Sequence, residues 1–298
     1  MRVTNNMMAK KMLYNLNQGM ERLGRLNDKL SSGKEVTLPS HDPAAVARIM
    51  RLRTSLMETD QYRDNVDDML SWLEASDSVL SSVGEALHRV RELVINGAND
   101  NLPDESRHAL ADEVDQILRG LVFTANSTHG VRHLFAGHRT AEAPFVTVVG
   151  ADGEIESVAY NGDSGKLEVE IGIGIVMDYN LPGDAVFAEI FSTLIQVRDW
   201  LRAGDCDELS ETGLAKVTEC TDDLLRWRSE IGAKVNRLEM TRERLTDFRL
   251  NLQRLLSQTE DIDLAEVVME LKMEENAYRT ALASGARIIQ PSLLDFLR

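Results

Sequence analysis

Residues 59–94 read TDQYRDNVDDMLSWLEASDSVLSSVGEALHRVRELV. One side of this segment is almost entirely apolar, because the residues that recur at alternating intervals of three and four include only one threonine and one serine: Thr59, Tyr62, Val66, Met69, Leu73, Ser76, Leu80, Val83, Leu87, Val90 and Val94. A mean interval of 3.5 residues is typical of a coiled-coil seam. A helix over residues 51–97 would be about 70 Å long. The pattern therefore predicts a long helix packed against other helices.

A second seam lies in the C-terminal third of the chain, at Val217, Leu224, Ile231, Val235, Leu238, Leu245, Leu252 and Leu256. Arg228, Arg242 and Arg249 occupy positions on the same seam, which a closed dimeric coiled coil would not favour. Shorter apolar stripes occur at both ends of the chain, one over residues 10–30 and one over residues 264–289. Helices with one apolar face need partners, so these two terminal stripes can pack against each other or against neighbouring molecules.

Helix-capping residues separate the terminal stripes from the two seams. Asp42 before Pro43 is a good N-cap, and Asp263 with Glu266 forms a capping-box pattern. A helix over residues 44–57 is expected to break or bend before the first seam. After the turn at residues 99–102, a helix with Leu110, Val114, Ile117 and Leu121 should run antiparallel to the long one, and another helix is expected over residues 185–201.

Between residues 137 and 182 the apolar period changes from 3.5 to 2. Residues 167–175 alternate as one strand, and Asp152-Gly153 and Asn161-Gly162 are typical of hairpin turns. A further hairpin is expected near Gly130. The predicted fold is therefore mainly α: a long antiparallel coiled-coil or helical bundle built from both chain ends, with a small β-rich central insert. The predicted domains are terminal helices (1–42 and 259–298, disordered in the monomer), a bundle core (43–138 and 183–258) and a small β domain (139–182).

Composition and charge exclude several classes of function. The net charge is −16, which disfavours nucleic acid as a partner, although residues 1–57 carry a local +6 from ten Lys+Arg and four Asp+Glu. No apolar run is long enough for a membrane span, and the polar start predicts no cleavable signal peptide. Aromatic residues make up 5%, which is low for an enzyme core and normal for helical rods.

No residue set predicts catalysis or a cofactor. His129, His133 and His138 lie close together, but no Glu or Cys ligand completes a metal motif. The sequence GIGI at residues 172–175 lacks the third glycine of a nucleotide loop. Cys206 and Cys220 have no metal-type spacing, and whether they pair stays open. We therefore expect no enzyme, no metal and no cofactor, with a metal-dependent enzyme using the three histidines as the alternative from another class.

Short motifs at both ends resemble the bacterial flagellin family. They are LSSGK at residues 30–34 and PSHDPAA at 39–45, then IGA at 231–233, NRL at 236–238, EDIDLAE at 260–266 and LLDFLR at 293–298. Glu35 and His41 depart from the usual pattern. Within the family, RVTNNMM at residues 2–8 and YNGDSG at 160–165 are more similar to hook–filament junction subunits than to flagellins, and a short flagellin is the alternative.

The resemblance implies a structural, non-enzymatic role in the extracellular flagellum. Terminal helices of the family form an inner tube, the long helices an outer tube, and the β domain points outward. Subunits leave the cell by the flagellar type III export route. The implied partners are copies of the same chain in a ring, flagellin, an adjoining hook-associated protein on the hook side, and an export chaperone on the C-terminal helix. An effector or adhesin that shares the export route is a further alternative.

The resemblance also implies which residues form these contacts. Subunit-interface residues are expected among the terminal stripes, at Leu13, Leu16, Met20, Leu23, Leu264, Val268, Leu271, Tyr278 and Leu282. Chaperone-binding residues are expected on the last helix and after it, at Leu264, Leu271, Ile289, Leu293 and Leu297.

Overall fold

The computed structural model describes residues 5–40, 42–150 and 153–289. The chain divides into two compact units. The terminal unit comprises the residues up to Glu58 and those from Phe248 onward, and the central unit comprises Thr59–Asp247. The division lies within two long helices, whereas the domain boundaries predicted from sequence lie at helix breaks.

Helices make up most of the described chain. They are α1 (Asn5–Ser32), α2 (Pro43–Gly97), α3 (Asp104–Ala125), α4 (Gly183–Ala203), the short α5 (Cys206–Glu208), α6 (Leu214–Glu260) and α7 (Leu264–Ile289), with a π-helical turn at Leu209–Gly213 between α5 and α6. Across the three described ranges, none of these helices combines the length and the apolar character that crossing a membrane requires. The prediction of a mainly α fold with a small central β insert is confirmed.

The first seam forms the core of the central unit. Every one of its residues is buried except Tyr62, which is half-buried. The expected break before the seam is wrong, because α2 runs without interruption from Pro43 to Gly97. The reason is that the same spacing continues toward the N terminus through Leu56, Leu52 and Ile49, with no glycine or proline to end the helix.

The second seam lies on α6, and its arginines within the central unit have carboxylate partners on α2. Arg228 donates from Nε and Nη2 to the two carboxylate oxygens of Asp77 at 2.9 and 3.1 Å, and Arg242 lies 3.7 Å from Asp67. Arg242 is further along α6 than Arg228, whereas its partner Asp67 comes earlier in α2 than Asp77. The two helices are therefore antiparallel. These ion pairs explain how arginines are accommodated on seam positions.

The strands form three separate antiparallel pairs: β1 (Thr128–His129) with β2 (Arg132–His133), β3 (Phe145–Val149) with β4 (Ile155–Tyr160), and β5 (Glu168–Gly172) with β6 (Ile175–Asp178). The hairpins expected near Gly130 and Gly153 are confirmed, and both glycines have positive φ. Asp152 lies outside the described residues.

Two predictions for the β insert are wrong. Residues 167–175 are not one strand, because Gly174, with φ of 68°, turns the chain back and leaves Ile173 exposed. Asn161-Gly162 does not join paired strands, since β4 pairs only with β3 among the described residues. Instead, the Asp163 carboxylate accepts hydrogen bonds from the backbone N–H groups of His138 (2.6 Å) and Gly165 (3.0 Å). The bond from His138 links the connection between β4 and β5 to the loop after β2.

An aromatic cluster joins the β insert to α4. Phe145 on β3 packs against Phe187 and Phe191 of α4, with ring centroids 5.4 and 5.3 Å apart, and against Tyr160 of β4. Arg198 of α4 is buried, and it donates to Asp115 of α3 at 3.2 Å and to the Ile155 carbonyl of β4 at 2.7 Å. The insert is therefore anchored to the bundle through both apolar and charged contacts.

Candidate assembly surface

In the terminal unit, α1 and α7 pack against each other. Two glycines permit this close approach: a Cβ added at Gly19 would lie 3.3 Å from the Tyr278 ring, and one at Gly285 would collide with the end of Met12. Arg22 of α1 donates from Nε to Glu274 of α7 at 2.8 Å. The apolar stripes of α1 and α7 therefore pack against each other, as the sequence periodicity indicates they can.

The predicted interface residues divide into two groups. Leu16, Leu23, Leu271 and Tyr278 are half-buried. The other predicted residues remain exposed although α1 and α7 are paired: Leu13, Met20, Leu264, Val268 and Leu282. The pair of helices therefore carries an apolar surface that its own packing does not cover, and its role as an interface stays a prediction.

The terminal unit has further exposed apolar residues that the sequence pattern did not indicate. They include Tyr14 on α1, Met269 and Met273 on α7, and Met50 and Met57 on the part of α2 in the terminal unit. These residues lie beside the apolar stripes of their helices and not within them. Periodicity therefore does not identify them as interface residues.

The expected chaperone segment is only partly described. Leu264 opens α7 and is exposed, Leu271 is half-buried, and Ile289 is the last residue of the helix. Leu293 and Leu297 lie outside the described residues. The position of this segment on α7 stays a prediction.

Two loops fix where α1 and α7 leave the long helices. Asp42 caps α2 by accepting from the N–H groups of Ala44 and Ala45 at 3.0 and 2.9 Å, as predicted. Asp263 caps α7 in the same manner, through the N–H groups of Ala265 and Glu266. Both caps are therefore formed at the places that the sequence indicates.

The same two loops are hydrogen-bonded to each other. The Glu35 N–H donates to the Glu260 carbonyl at 2.7 Å, and the Ile262 N–H donates to the Gly33 carbonyl at 3.3 Å. Lys34 and Asp261 form an antiparallel bridge between these bonds. This loop ladder, residues 33–35 with 260–262, joins the two ends of the chain and was not predicted.

A buried carboxylate stands at the centre of the loop ladder. Glu260 is only 5% exposed, and its Oε1 accepts hydrogen bonds from Lys34 and Arg53. Burial acts to raise the pKa of the Glu260 carboxyl, but the hydrogen bonds from the two cations outweigh burial and hold the pKa below its usual value. Glu260 is therefore an ionised link between the loop after α1, the start of α2 and the end of α6.

Beside the loop ladder lies an open groove of about 960 Å³. Arg22, Arg25, Lys29 and Arg48 line it, together with Glu270 and Glu274 of α7. Four cations here account for much of the local positive charge noted in the sequence.

The three histidines do not converge. His129 Nε2 lies 3.3 Å from the Ser71 hydroxyl, His133 Nδ1 2.8 Å from the Asn126 carbonyl, and His138 Nε2 3.1 Å from the Lys166 carbonyl. In the described part of the chain, no group of three or more His, Cys, Asp or Glu residues could hold a metal ion. Cys206 and Cys220 are both free thiols.

Comparisons with known proteins agree with this architecture. The bacterial flagellin N-terminal helical region matches residues 3–140, and the C-terminal helical region matches residues 214–297. The chain therefore belongs to the bacterial flagellin family, whose members are structural proteins of the flagellum and not enzymes.

Within this family, the chain is similar to flagellar hook-associated protein 3 of Salmonella typhimurium, with 24% identity over 94% of this chain and 95% of that protein. It is also similar to a flagellin of Halalkalibacterium halodurans, with 27% identity over 95% of this chain and 93% of that protein. Its fold resembles FlgL of Bacillus cereus (TM-score 0.58, 22% identity, 70% of this chain and 99% of that chain) and the flagellar junction protein FlgL of Legionella pneumophila (TM-score 0.58, 17% identity, 73% and 100%).

Proposed function

We propose that this chain is the structural subunit that joins the hook to the flagellin filament. The observation that carries the proposal is the uncovered apolar surface of the α1–α7 pair, in a chain similar over nearly its whole length to hook-associated protein 3. Such a surface is costly on a free protein and marks an interaction site.

The physical basis of assembly is burial of this surface between subunits. Burying one exposed leucine or methionine contributes about 1.5–3 kcal/mol. Leu13, Leu264 and Leu282 would each contribute at every contact around a ring of copies. Burial of these side chains would therefore favour association of the copies, and the neighbours above and below the ring would be flagellin on one side and another hook-associated protein on the other.

The proposal includes the route by which the subunit reaches its place. The chain leaves the cell by the flagellar type III export route and acts in the extracellular flagellum. An export chaperone covers the apolar side of α7, beginning at Leu264 and Leu271, before secretion. Covering this surface would prevent premature self-association in the cell, because exposed apolar helices otherwise aggregate.

The terminal helices become fully ordered only on assembly. The large exposed apolar fraction of α1 and α7 supports this, since a helix pair with little buried area is marginally stable. In the isolated subunit, amide hydrogens of residues 10–30 should exchange much faster than those of residues 66–94. Equal protection in the two segments would contradict this part of the proposal.

Deletion of the gene tests the function. Cells that lack the chain should keep intact hooks, carry no filaments and release unassembled flagellin into the medium. Restoring the gene should restore filaments. Filaments of normal number on the deletion cells would refute the proposal.

A short flagellin is the alternative, because the Halalkalibacterium flagellin also aligns with nearly the whole chain. The two functions differ in self-assembly. A flagellin at high concentration should form long filaments that electron microscopy detects, whereas a junction subunit should remain in small assemblies. Long filaments of the purified chain alone would favour the alternative.

A further inference from the structure

Methionine supplies much of the exposed apolar surface of the terminal unit. In the described chain, the exposed methionines of this unit are Met7, Met8, Met20, Met50, Met57, Met269 and Met273. In the central unit, Met69 and Met177 are buried, at 1% and 6% exposure, and Met240 is exposed. Exposed methionine is therefore concentrated in the terminal unit, whose α1–α7 pair carries the surface that the proposed function would bury between subunits.

Five of these methionines are 60–65% exposed, namely Met7, Met50, Met57, Met269 and Met273. Met20 is equally exposed, but its sulfur accepts a hydrogen bond from the Tyr278 hydroxyl at 3.8 Å. An exposed thioether with free lone pairs reacts readily with peroxides, and the product is a polar sulfoxide.

The cysteines compete poorly for the same oxidant. Desolvation, followed by a hydrogen bond with Asp100, raises the pKa of the Cys206 thiol. Desolvation also raises the pKa of the Cys220 thiol, and Cys220 is buried. Because the thiolate is the reactive form, neither cysteine is primed for oxidation at neutral pH.

We propose that oxidation of the exposed methionines Met7, Met50, Met57, Met269 and Met273 controls assembly of the free subunit. In each reaction the thioether sulfur attacks one oxygen of hydrogen peroxide, the O–O bond breaks, and water leaves after proton transfer. The sulfur loses two electrons and the peroxide gains them. A thiol-dependent methionine sulfoxide reductase reverses the reaction, oxidising two thiols to a disulfide and releasing water.

Oxidation opposes assembly because it places polar sulfoxides on an apolar contact. This consequence rests on the proposed function, whereas the selectivity of oxidation rests on exposure alone. Subunits already assembled should be protected, because their methionines are covered by neighbours. The free, exported subunit is therefore the sensitive form.

The first experiment measures selectivity. The purified full chain is treated with hydrogen peroxide, digested and analysed by mass spectrometry for the gain of one oxygen at each methionine. The five methionines should be oxidised at least tenfold faster than Met69 and Met177, because solvent exposure controls access to the sulfur. Similar rates at exposed and buried positions would overturn the inference, whatever the function of the chain.

The second experiment measures assembly. Peroxide-treated and untreated protein are mixed with purified hooks from the deletion cells and with flagellin, and bound protein is quantified after sedimentation. Oxidation should lower binding roughly tenfold or more, and reductase treatment should restore it. A variant with Met7, Met50, Met57, Met269 and Met273 all changed to leucine should bind normally and resist peroxide, since leucine conserves volume and cannot be oxidised.

The Met240→Leu variant is the matched control, because Met240 is as exposed but lies in the central unit. It should remain as sensitive to peroxide as the unmodified chain. Normal binding by fully oxidised protein would overturn the inference and leave the proposed function intact. Failure of the untreated protein to bind hooks would instead count against the proposed function.

Discussion

Changing Glu260 to glutamine should destabilise the terminal unit while leaving its backbone contacts in place. Glutamine keeps the size of the side chain but removes the charge that Lys34 and Arg53 share. The Glu35 N–H bond to the backbone carbonyl of residue 260 does not depend on the side chain. The substitution therefore isolates the contribution of the ionised carboxylate.

The magnitude follows from the exposure of the partners. A hydrogen bond to a charged group contributes about 1.5–3 kcal/mol. The side chains of Lys34 and Arg53 are 42% and 47% exposed, so solvent screens both pairs and each contribution moves toward the surface value of about 0–1 kcal/mol. We expect a combined loss of about 1–3 kcal/mol in the free energy of unfolding.

The pH dependence gives the sharper test. Because the folded chain lowers the pKa of Glu260, the stabilisation is complete above the unfolded value, which is about 4.3. It is lost as the pH falls through the lower folded value. The unmodified chain and the glutamine variant should therefore differ in urea denaturation at pH 7 and converge in acid.

Amide exchange supplies a local readout, since the N–H groups of Glu35 and Ile262 report directly on the loop ladder. The Glu275→Gln variant is the control, because Glu275 pairs with Lys272 on the surface of α7. That variant should leave exchange at the ladder unchanged. If Glu260→Gln matches the unmodified chain at pH 7, or if the difference persists in acid, the carboxylate does not act as described.

Three further predictions concern assembly and the central unit. Leu271→Asp should abolish filament restoration in the deletion cells while circular dichroism shows a folded chain; a swimming strain would exclude Leu271 from the interface. Gly137→Ala should lower the free energy of unfolding, measured by thermal denaturation, by about 3 kcal/mol, and Gly130→Ala by about 1 kcal/mol. Both glycines have positive φ, but only at Gly137 would a Cβ collide with backbone and side-chain atoms. Equal losses for the two variants would contradict this packing. Arg198→Met should cost about 3 kcal/mol by leaving the buried Asp115 with one cation fewer, and an unchanged melting temperature would show that the pair is dispensable.

The sequence predicted the features that depend on local periodicity and on capping chemistry. The seam on α2 and the caps at Asp42 and Asp263 follow from spacing and residue type within a few positions. The break expected before Thr59 was wrong because the spacing through Ile49 and Leu52 continues the seam toward the start of α2.

Features that depend on distant pairing could not be predicted in this way. Glu260 is separated from Lys34 by 226 residues, and no local pattern marks it as buried. The turn at Gly174 was hidden because strict alternation of apolar residues is equally compatible with one strand or with a hairpin whose tip carries a glycine. The exposed methionines of α7 were missed for a related reason, since exposure depends on which side of a helix its partner covers.

The loop ladder has a consequence for exchanging parts between relatives. Because Glu35 and Ile262 bond across to the opposite loop, an insertion or deletion in either loop would shift the register of both. A chimera that receives only one foreign end would therefore combine loops that had not been matched to each other. A chimera between members of this family should therefore take the first 42 residues and the last 39 residues from the same parent.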